Sequence, residues 1–189
     1  MATDPRPLSI PVVLGTVRQG RMSAHAARFV HGRVLERPGV ETELIDIATL
    51  DIPIDDAGTD IKDPVFAAKM TRADALVIVT PEYNHSFPGL LKHVLDTCLE
   101  EYIHKAAGIV GVSAGSFGGS RGIQDLLPAL REMGLMTIFT DVYFGSVHKV
   151  FDDAGNLRDK AFVERVDNFL DELVWMATTL RWGRENVAL

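Results

Sequence analysis

The sequence is poor in cysteine, in excess positive charge and in long hydrophobic runs. Cys98 is the only cysteine among 189 residues, which excludes an intramolecular disulfide and any metal or cluster site built from several cysteines. The formal net charge of −7 argues against nucleic acid as a partner, because phosphate backbones are bound by basic surfaces. No apolar run approaches the roughly 20 residues that a membrane-spanning helix needs.

The first residues lack the features of an export signal. Residues 1–10, MATDPRPLSI, contain no basic stretch followed by an apolar one. Together with the single cysteine, which fits a reducing compartment, this predicts a cytoplasmic protein without membrane contacts. A chain of 189 residues suits one domain with a sizeable core, and we expect residues 1–189 to form it.

What the sequence does contain is a regular alternation of apolar strands and amphipathic helices. Strands are predicted at 8–14, 41–47, 75–80 and 107–113, with a last strand that begins over 135–139. Helices are predicted at 23–36, 64–72, after Ser86, over 123–133 and over 162–177. This alternation predicts an α/β protein with a parallel sheet covered by helices on both faces. Five strands in one domain favour a flavodoxin-like three-layer sandwich with strand order 2-1-3-4-5.

Three local features qualify this scheme. Pro11 lacks the N–H that a strand ladder needs, so the first strand is expected to be irregular there. Pro128 lies inside a helical pattern at a cost on the order of 3 kcal/mol, which predicts a kink or a restart. Ser86 is the expected N-cap of the helix whose first turn contains Pro88.

Several reactive residue types have ordinary structural interpretations. Cys98 lies on the apolar stripe of its helix and is expected in the core, not as a nucleophile. His85 is expected at the surface or at an interface, and His25 and His31 on exposed helix faces. The stripe of the last helix, with Trp175, is expected in the core or at a subunit contact. The sequence shows no Ser-His-Asp constellation and no cluster at metal-ligand spacing.

The loop after the first strand, GTVRQGRMS at residues 15–23, has the composition of an anion site. Thr16 and Ser23 supply hydroxyl groups, and Arg18 and Arg21 supply guanidinium groups that bind phosphate oxygens in pairs. The helix that follows directs its unpaired N–H groups at the loop. The spacing fits neither GxxxxGK[ST] nor GxGxxG, which disfavours an NTPase and an NAD-type Rossmann enzyme. A capped helix with two solvated arginines is the alternative.

Two more loops leave strand ends on the same predicted edge of the sheet. PEYNHSFPGLLKHVLD, residues 81–96, follows the third strand, and SAGSFGGSRG, residues 113–122, follows the fourth. An ordinary strand-to-helix turn accounts for Asn84, Ser86 and Pro88, but leaves Glu82 and Tyr83 less explained.

In this order the three motifs resemble the NADPH-dependent FMN reductase family of flavin, quinone, azo-dye and chromate reductases. The resemblance spans about residues 10–175, and it departs from the commoner family pattern at Thr16, where a serine is more frequent. It implies three groups of FMN contacts. These are the phosphate (Thr16, Arg18 and Ser23, with Arg21 and Met22), the ribityl chain and ring (Pro81, Glu82, Tyr83 and Asn84) and the pyrimidine edge (Ser113 and Gly115).

The same resemblance implies an activity and an assembly. The expected reaction passes a hydride from NADPH or NADH through FMN to a small-molecule acceptor such as a quinone, a free flavin, an azo compound or a metal oxyanion. No side chain is expected to act as an essential acid or base, because the cofactor carries the chemistry. A homodimer or homotetramer is expected. A non-enzymatic flavodoxin-like electron carrier or a flavin-binding module is the alternative.

Overall fold

Parallel strands at five positions form the centre of the molecule. The computed structural model describes residues 6–53 and 63–188. The strands are β1 (Leu8–Ser9), β2 (Val12–Leu14), β3 (Val40–Glu41), β4 (Leu44–Asp46), β5 (Ala75–Pro81), β6 (Lys105–Val112), β7 (Leu135–Thr137) and β8 (Val142–Phe144). They run β4-β2-β5-β6-β7 across the sheet, β8 also pairs with β6, and β1 pairs with β3. All of these ladders are parallel.

Three of the five predicted strands are interrupted, and the first one breaks where proline predicts it. β1 and β2 are separated at Ile10 and Pro11, yet hydrogen bonds continue across the gap, because the N–H of Ile10 donates to the carbonyl of Glu41 at 2.9 Å. β3 and β4 form the second position, and β7 and β8 form the fifth. The fifth strand therefore begins at Leu135, as predicted, and extends to Phe144. The order 2-1-3-4-5 and the flavodoxin-like fold are confirmed.

Within residues 6–53 and 63–188, six α-helices connect and cover the strands. They are α1 (Ser23–Leu35), α2 (Pro64–Arg72), α3 (Gly89–Asp96), α4 (Ser120–Glu132), α5 (Val147–Val150) and α6 (Ala161–Asn186). The carboxylate of Asp63 caps α2 and accepts the N–H groups of Val65 and Phe66 at 2.8 Å each. The Ser86 cap is wrong, since α3 begins at Gly89 and the Ser86 hydroxyl donates to Asp125.

α4 continues through Pro128 as a single helix. The predicted restart at this proline is therefore wrong. The exposed position of Pro128 places its ring on the solvent side of the helix.

The core has two layers because alternate strand residues point to opposite faces of the sheet. Val77 and Val79 of β5 pack with α1 and α6, whereas Leu76 and Ile78 pack with α2, α3 and α4. Two glycines of β6 lie at close contacts. A Cβ on Gly108 would lie 2.4 Å from the Phe169 ring of α6, and one on Gly111 would lie 2.4 Å from the carbonyl oxygen of Gly118.

A fully buried carboxylate lies at the N-terminal end of β5, opposite the strand ends that carry the three loops. Asp74 accepts hydrogen bonds from Arg6 at 2.7 and 3.0 Å and from Arg184 of α6 at 2.8 Å, and Arg181 lies 3.5 Å away. Lys105 is buried beside this cluster and donates to the carbonyls of residues 70 and 71, at the end of α2. Burial, reinforced by the charge of Arg184, lowers the pKa of Lys105 to about 8.

The structure revises the expectation for two histidines. His25 is half-buried with its ring 6.3 Å from that of Phe151. His31 is also half-buried, and the loss of hydration lowers its pKa. Cys98 is buried, as predicted. In the apolar stripe of α6 six residues are buried and Val174 is half-buried, whereas Trp175 is 65% exposed. The six buried residues are Phe162, Val166, Phe169, Leu170, Leu173 and Ala177. Among residues 6–53 and 63–188 no helix has the length and apolar character to cross a membrane.

Candidate flavin site

A cavity of about 260 Å³ lies at the edge of the sheet where β2, β5 and β6 end. The three loops that the sequence singles out meet around it. Its lining consists of Arg18, Gly20, Arg21, Met22, Ser23, Pro81, Glu82, Tyr83, Val112, Ser113, Ala114 and Val147. At one end of the cavity, the first loop contributes arginine side chains and backbone N–H groups. The turn after β5 and the loop after β6 contribute apolar side chains.

The first loop presents a row of unused hydrogen-bond donors. The backbone N–H groups of residues 19–23 donate to no other part of the described chain. α1 starts at Ser23, and its N-cap residue Met22 supplies no side-chain cap. Arg18 is exposed and forms no ion pair with a described residue; its guanidinium lies 4.4 Å from the centre of the Tyr83 ring. Such donors suit an anion with several oxygens.

Arg21 holds the loop in place from behind. Its Nη1 donates to the carbonyl of Thr16 at 2.6 Å, and its Nη2 pairs with Asp46 at the end of β4. The same Asp46 carboxylate accepts the N–H of Ala48 and so caps the turn that follows β4. Part of the Arg21 charge is therefore compensated within the protein, which separates its role from that of Arg18. Sequence reasoning missed Asp46, because only the tertiary structure brings it to this loop.

A hydrogen bond between side chains joins the first loop to the turn after β5. Thr16 is 2% exposed, and its Oγ1 lies 2.8 Å from the phenol oxygen of Tyr83. The Arg18 guanidinium also stacks on the ring of Tyr83. One aromatic side chain therefore positions two residues of the first loop. Tyr83 thus has a structural role that an ordinary connecting turn does not require.

The backbone of the turn explains its unusual composition. Tyr83 and Ser86 exchange two backbone hydrogen bonds of 2.7 and 2.9 Å. Between them Asn84 has a φ of 50° and His85 a φ of 70°, as in a type I′ turn. Among residues with a Cβ, asparagine and histidine are enriched in this left-handed region. Both residues are exposed.

Glu82 connects this turn to the second glycine loop. Its N–H donates to the carbonyl of Val112 at 3.1 Å, which extends the pairing of β5 with β6. Its carboxylate accepts the backbone N–H of Arg121 at 3.3 Å and lies 3.5 Å from Nη1 of the same residue. The N-cap residue of α4, Gly119, provides no side-chain cap. Glu82 therefore stabilises the start of α4 while it lines the cavity.

The loop after β6 is held by the segment that follows β8. The N–H of Ser113 donates to the carbonyl of Phe144 at 3.1 Å, and the carbonyl of Gly115 accepts the N–H of Ser146 at 2.7 Å and the hydroxyl of Ser113 at 2.8 Å. Val147, the first residue of α5, completes the cavity wall. Nothing in the sequence pattern pointed to Val147.

The structure brings most of the predicted site residues together. Arg18, Arg21, Met22, Ser23, Pro81, Glu82, Tyr83 and Ser113 line the cavity, whereas Thr16 lies behind Tyr83, and Asn84 and Gly115 lie outside the lining. Sequence reasoning did not single out Val112 and Val147 as site residues. Val112 adjoins the predicted residue Ser113 in the chain, which was the signal available for it.

Comparison with known proteins agrees with this geometry. Residues 8–149 match the family model of NADPH-dependent FMN reductases. A quinone reductase of Pseudomonas putida is 30% identical, with 83% of this chain and 91% of that protein aligned. An NAD(P)H-dependent FMN reductase of Pseudomonas aeruginosa is 30% identical, over 89% and 95% of the two chains.

The fold also has a close counterpart among solved structures. The flavoenzyme FerB of Paracoccus denitrificans, an NAD(P)H:(acceptor) oxidoreductase, superposes with a TM-score of 0.75 at 22% identity, over 89% of this chain and 98% of that one. At this identity the match supports the fold alone. With the family model and the two relatives, the conclusion is that the chain belongs to the NADPH-dependent FMN reductase family of flavin-dependent oxidoreductases.

Proposed function

We propose that the cavity holds FMN and that the protein passes reducing equivalents from NADPH or NADH to a small-molecule acceptor, such as a quinone or an azo compound. In this proposal residues 1–189 form a single FMN-binding domain of a cytoplasmic protein. The observation that supports the proposal most directly is the cluster of hydrogen-bond donors without a protein acceptor among the described residues of the first loop. There Arg18 and the N–H groups of residues 19–23 adjoin a cavity with apolar walls.

Each part of the cavity matches one part of the cofactor. A phosphate monoester requires several donors and a positive charge, which Arg18, Ser23 and the N–H groups before it supply. The flat ring requires apolar walls and a close backbone, which Pro81, Val112 and Val147 supply together with the loop around Ser113. This assignment leaves Arg21 to fix the loop through Thr16, as its contacts indicate.

The chemistry that FMN supplies when bound is the acceptance of a hydride from a reduced nicotinamide and the delivery of electrons to a second substrate. The protein residues bind, orient and shield. Glu82 already accepts the N–H of Arg121, and Tyr83 already shares a hydrogen bond with Thr16. Neither side chain is placed to exchange a proton with a substrate without losing a contact that holds the site together.

Anaerobic half-reactions test the proposal directly. The purified protein, loaded with FMN, is mixed with NADPH or NADH, and the flavin absorbance is followed as it disappears. The reduced protein is then mixed with a quinone, and the absorbance is expected to return. Steady-state rates are expected to follow a ping-pong pattern, because one site receives both substrates in turn. A protein that takes up no FMN, or a flavin that no nicotinamide reduces, would refute the proposal.

We also propose that the protein is a homodimer or homotetramer. Large apolar side chains remain exposed, among them Phe117 of the second glycine loop at 62% and Leu90 of α3 at 46%, and a self-association surface is one way to cover them. Light scattering after size exclusion measures the mass in solution. A monomer at micromolar concentration contradicts this part of the proposal and leaves the FMN assignment untouched.

A further inference from the structure

A second cavity, of about 600 Å³, adjoins the first loop. Four residues of that loop line both cavities, namely Arg18, Gly20, Arg21 and Met22. Beyond them the second cavity continues along the first turns of α1 as far as Arg28. Its volume lies in the range of small-molecule sites. A ligand with two linked phosphates can therefore contact both cavities at this one loop.

The second cavity has an excess of positive charge. Three arginines line it, namely Arg18, Arg21 and Arg28. Among the described residues, Asp153 is the one carboxylate of the lining, and Asp46 pairs with Arg21 from outside it. Arginines therefore outnumber carboxylates even when both acids are counted, which favours an anionic ligand.

Arg28 supplies the part of this charge that the first cavity does not use. It is exposed and forms no ion pair with a described residue. The helix that carries it, Ser23–Leu35, contains no carboxylate at all. A guanidinium in such a position keeps its five N–H donors available for phosphate oxygens.

The rest of the wall has the composition of a nucleotide site. Val17, which is 41% exposed, and the small side chains of Ala24 and Ala48 contribute apolar surface. The half-buried imidazole of His25 contributes a flat ring. An inorganic anion would use the arginines alone. Apolar groups and a ring beside them suit a base, which stacks on such surfaces.

We propose that the second cavity binds the adenosine monophosphate part of FAD, so that the protein takes FAD in addition to FMN. The inference rests on the proposed function, since it places the flavin ring and its phosphate in the first cavity. The second phosphate of FAD follows the first one directly, which matches two cavities that share one loop. In this assignment Arg18 contacts both phosphates, whereas Arg28 contacts the second one only and determines the affinity for FAD.

The test compares the two flavins as ligands of the apoprotein. Dissociation constants of FMN and FAD are measured by equilibrium dialysis, with the bound flavin determined from its visible absorbance. Wild-type protein is expected to bind FAD at least as tightly as FMN. Arg28→Gln is expected to weaken FAD binding about 10-fold, the lower range for a charged hydrogen bond at an exposed residue, and to leave FMN binding unchanged.

Two further variants bracket this result. Arg28→Glu places a negative charge beside the second phosphate and is expected to weaken FAD binding more than Arg28→Gln does. Because Arg28 is exposed, both variants are expected to fold. Arg131→Gln removes an exposed arginine of α4 that lies outside both cavities, and this matched control is expected to keep both dissociation constants.

Three outcomes would overturn the FAD assignment. The first is wild-type protein that binds FAD more than 10-fold more weakly than FMN. The second is an equal loss of affinity for both flavins in Arg28→Gln, and the third is an unchanged affinity for FAD in that variant. Wild-type protein that binds neither flavin would instead refute the proposed function.

The adenosine phosphate of the nicotinamide donor has the same chemistry as that of FAD, and kinetics separates the two sources. FMN-loaded protein is reduced anaerobically with NADH and with reduced nicotinamide mononucleotide, which lacks the adenosine half. The FAD assignment expects the same ratio of the two rates in wild-type protein and in Arg28→Gln. A preference for NADH that disappears in Arg28→Gln, with unchanged FAD affinity, would assign the cavity to the donor and overturn the proposal.

Discussion

Replacement of Arg18 by alanine tests the phosphate assignment with a defined magnitude. The Arg18 guanidinium forms no ion pair with a described residue, and it adjoins the row of unused N–H groups at residues 19–23. A charged hydrogen bond contributes about 1.5–3 kcal/mol, and screening by solvent and salt at this exposed residue lowers the value toward the bottom of that range. We therefore expect Arg18→Ala to weaken FMN binding about 10- to 100-fold.

The assay uses riboflavin as the matched ligand, because it has the same ring and lacks the phosphate. Apoprotein is titrated with FMN and with riboflavin, and the loss of flavin fluorescence gives both dissociation constants. Arg18→Ala is expected to lose affinity for FMN alone. Arg18→Lys keeps the charge but loses the planar pair of donors, so an intermediate affinity is expected.

The stacking of Arg18 on Tyr83 supplies the competing explanation. A contact between a guanidinium and an aromatic ring contributes about 0.5–1 kcal/mol at an exposed site, and its loss would loosen the turn that faces the ring. In that case the affinities for FMN and riboflavin fall by the same factor. This outcome would refute the assignment of the phosphate to Arg18.

Three further changes probe the framework of the site. Tyr83→Phe removes the hydrogen bond to Thr16. It is expected to lower the free energy of unfolding by about 1 kcal/mol and to weaken FMN binding. If urea denaturation shows no loss of stability, the role given to this bond is wrong. Gly111→Ala and Gly108→Ala are both expected to lower the free energy of unfolding by about 1–3 kcal/mol through overpacking. Only Gly111→Ala is expected to reduce FMN affinity, because it displaces the second glycine loop. Equal FMN affinities in the two variants would contradict this role of the loop. The pKa of Lys105 is lowered to about 8 in the folded protein. Between about pH 8 and 10 the folded protein has therefore lost a proton that the unfolded chain still keeps. The free energy of unfolding is expected to rise with pH over this range, by at most about 1.4 kcal/mol per pH unit. Urea titrations of Lys105→Met are expected to lack this rise, and an equal slope in the variant rules out the lysine as its cause.

The sequence was sufficient for those parts of the fold that local chemistry determines. Pro11 marks the break in the first strand because a proline has no N–H for the ladder, and Asp63 marks the start of α2 because its carboxylate caps two N–H groups. Ser86 has the same capping chemistry, but its hydroxyl donates to Asp125, a partner in a distant part of the chain. Pro128 lies within a helix that tertiary contacts hold together despite its cost.

The same limit applies to the site. Arg18, Ser23 and Tyr83 were identifiable because they lie in loops that follow adjacent parallel strands, where ligands bind in such sheets. Asp46 and Val147 reach the site only through the folding of distant segments, and no local pattern marks them. The different roles of Arg18 and Arg21 could not be predicted from the sequence either, because they depend on which of the two arginines pairs with a carboxylate in the folded protein.

The buried Asp74 has a practical consequence for attachment of the molecule to a surface. Arg6, near one end of the chain, and Arg184, near the other, converge on this carboxylate, at the pole away from the cavity mouth. Attachment through a side chain introduced beside Arg6 or Arg184 would therefore orient the mouth toward solution on an electrode or a bead. Two labels attached beside these arginines would lie close together at that pole.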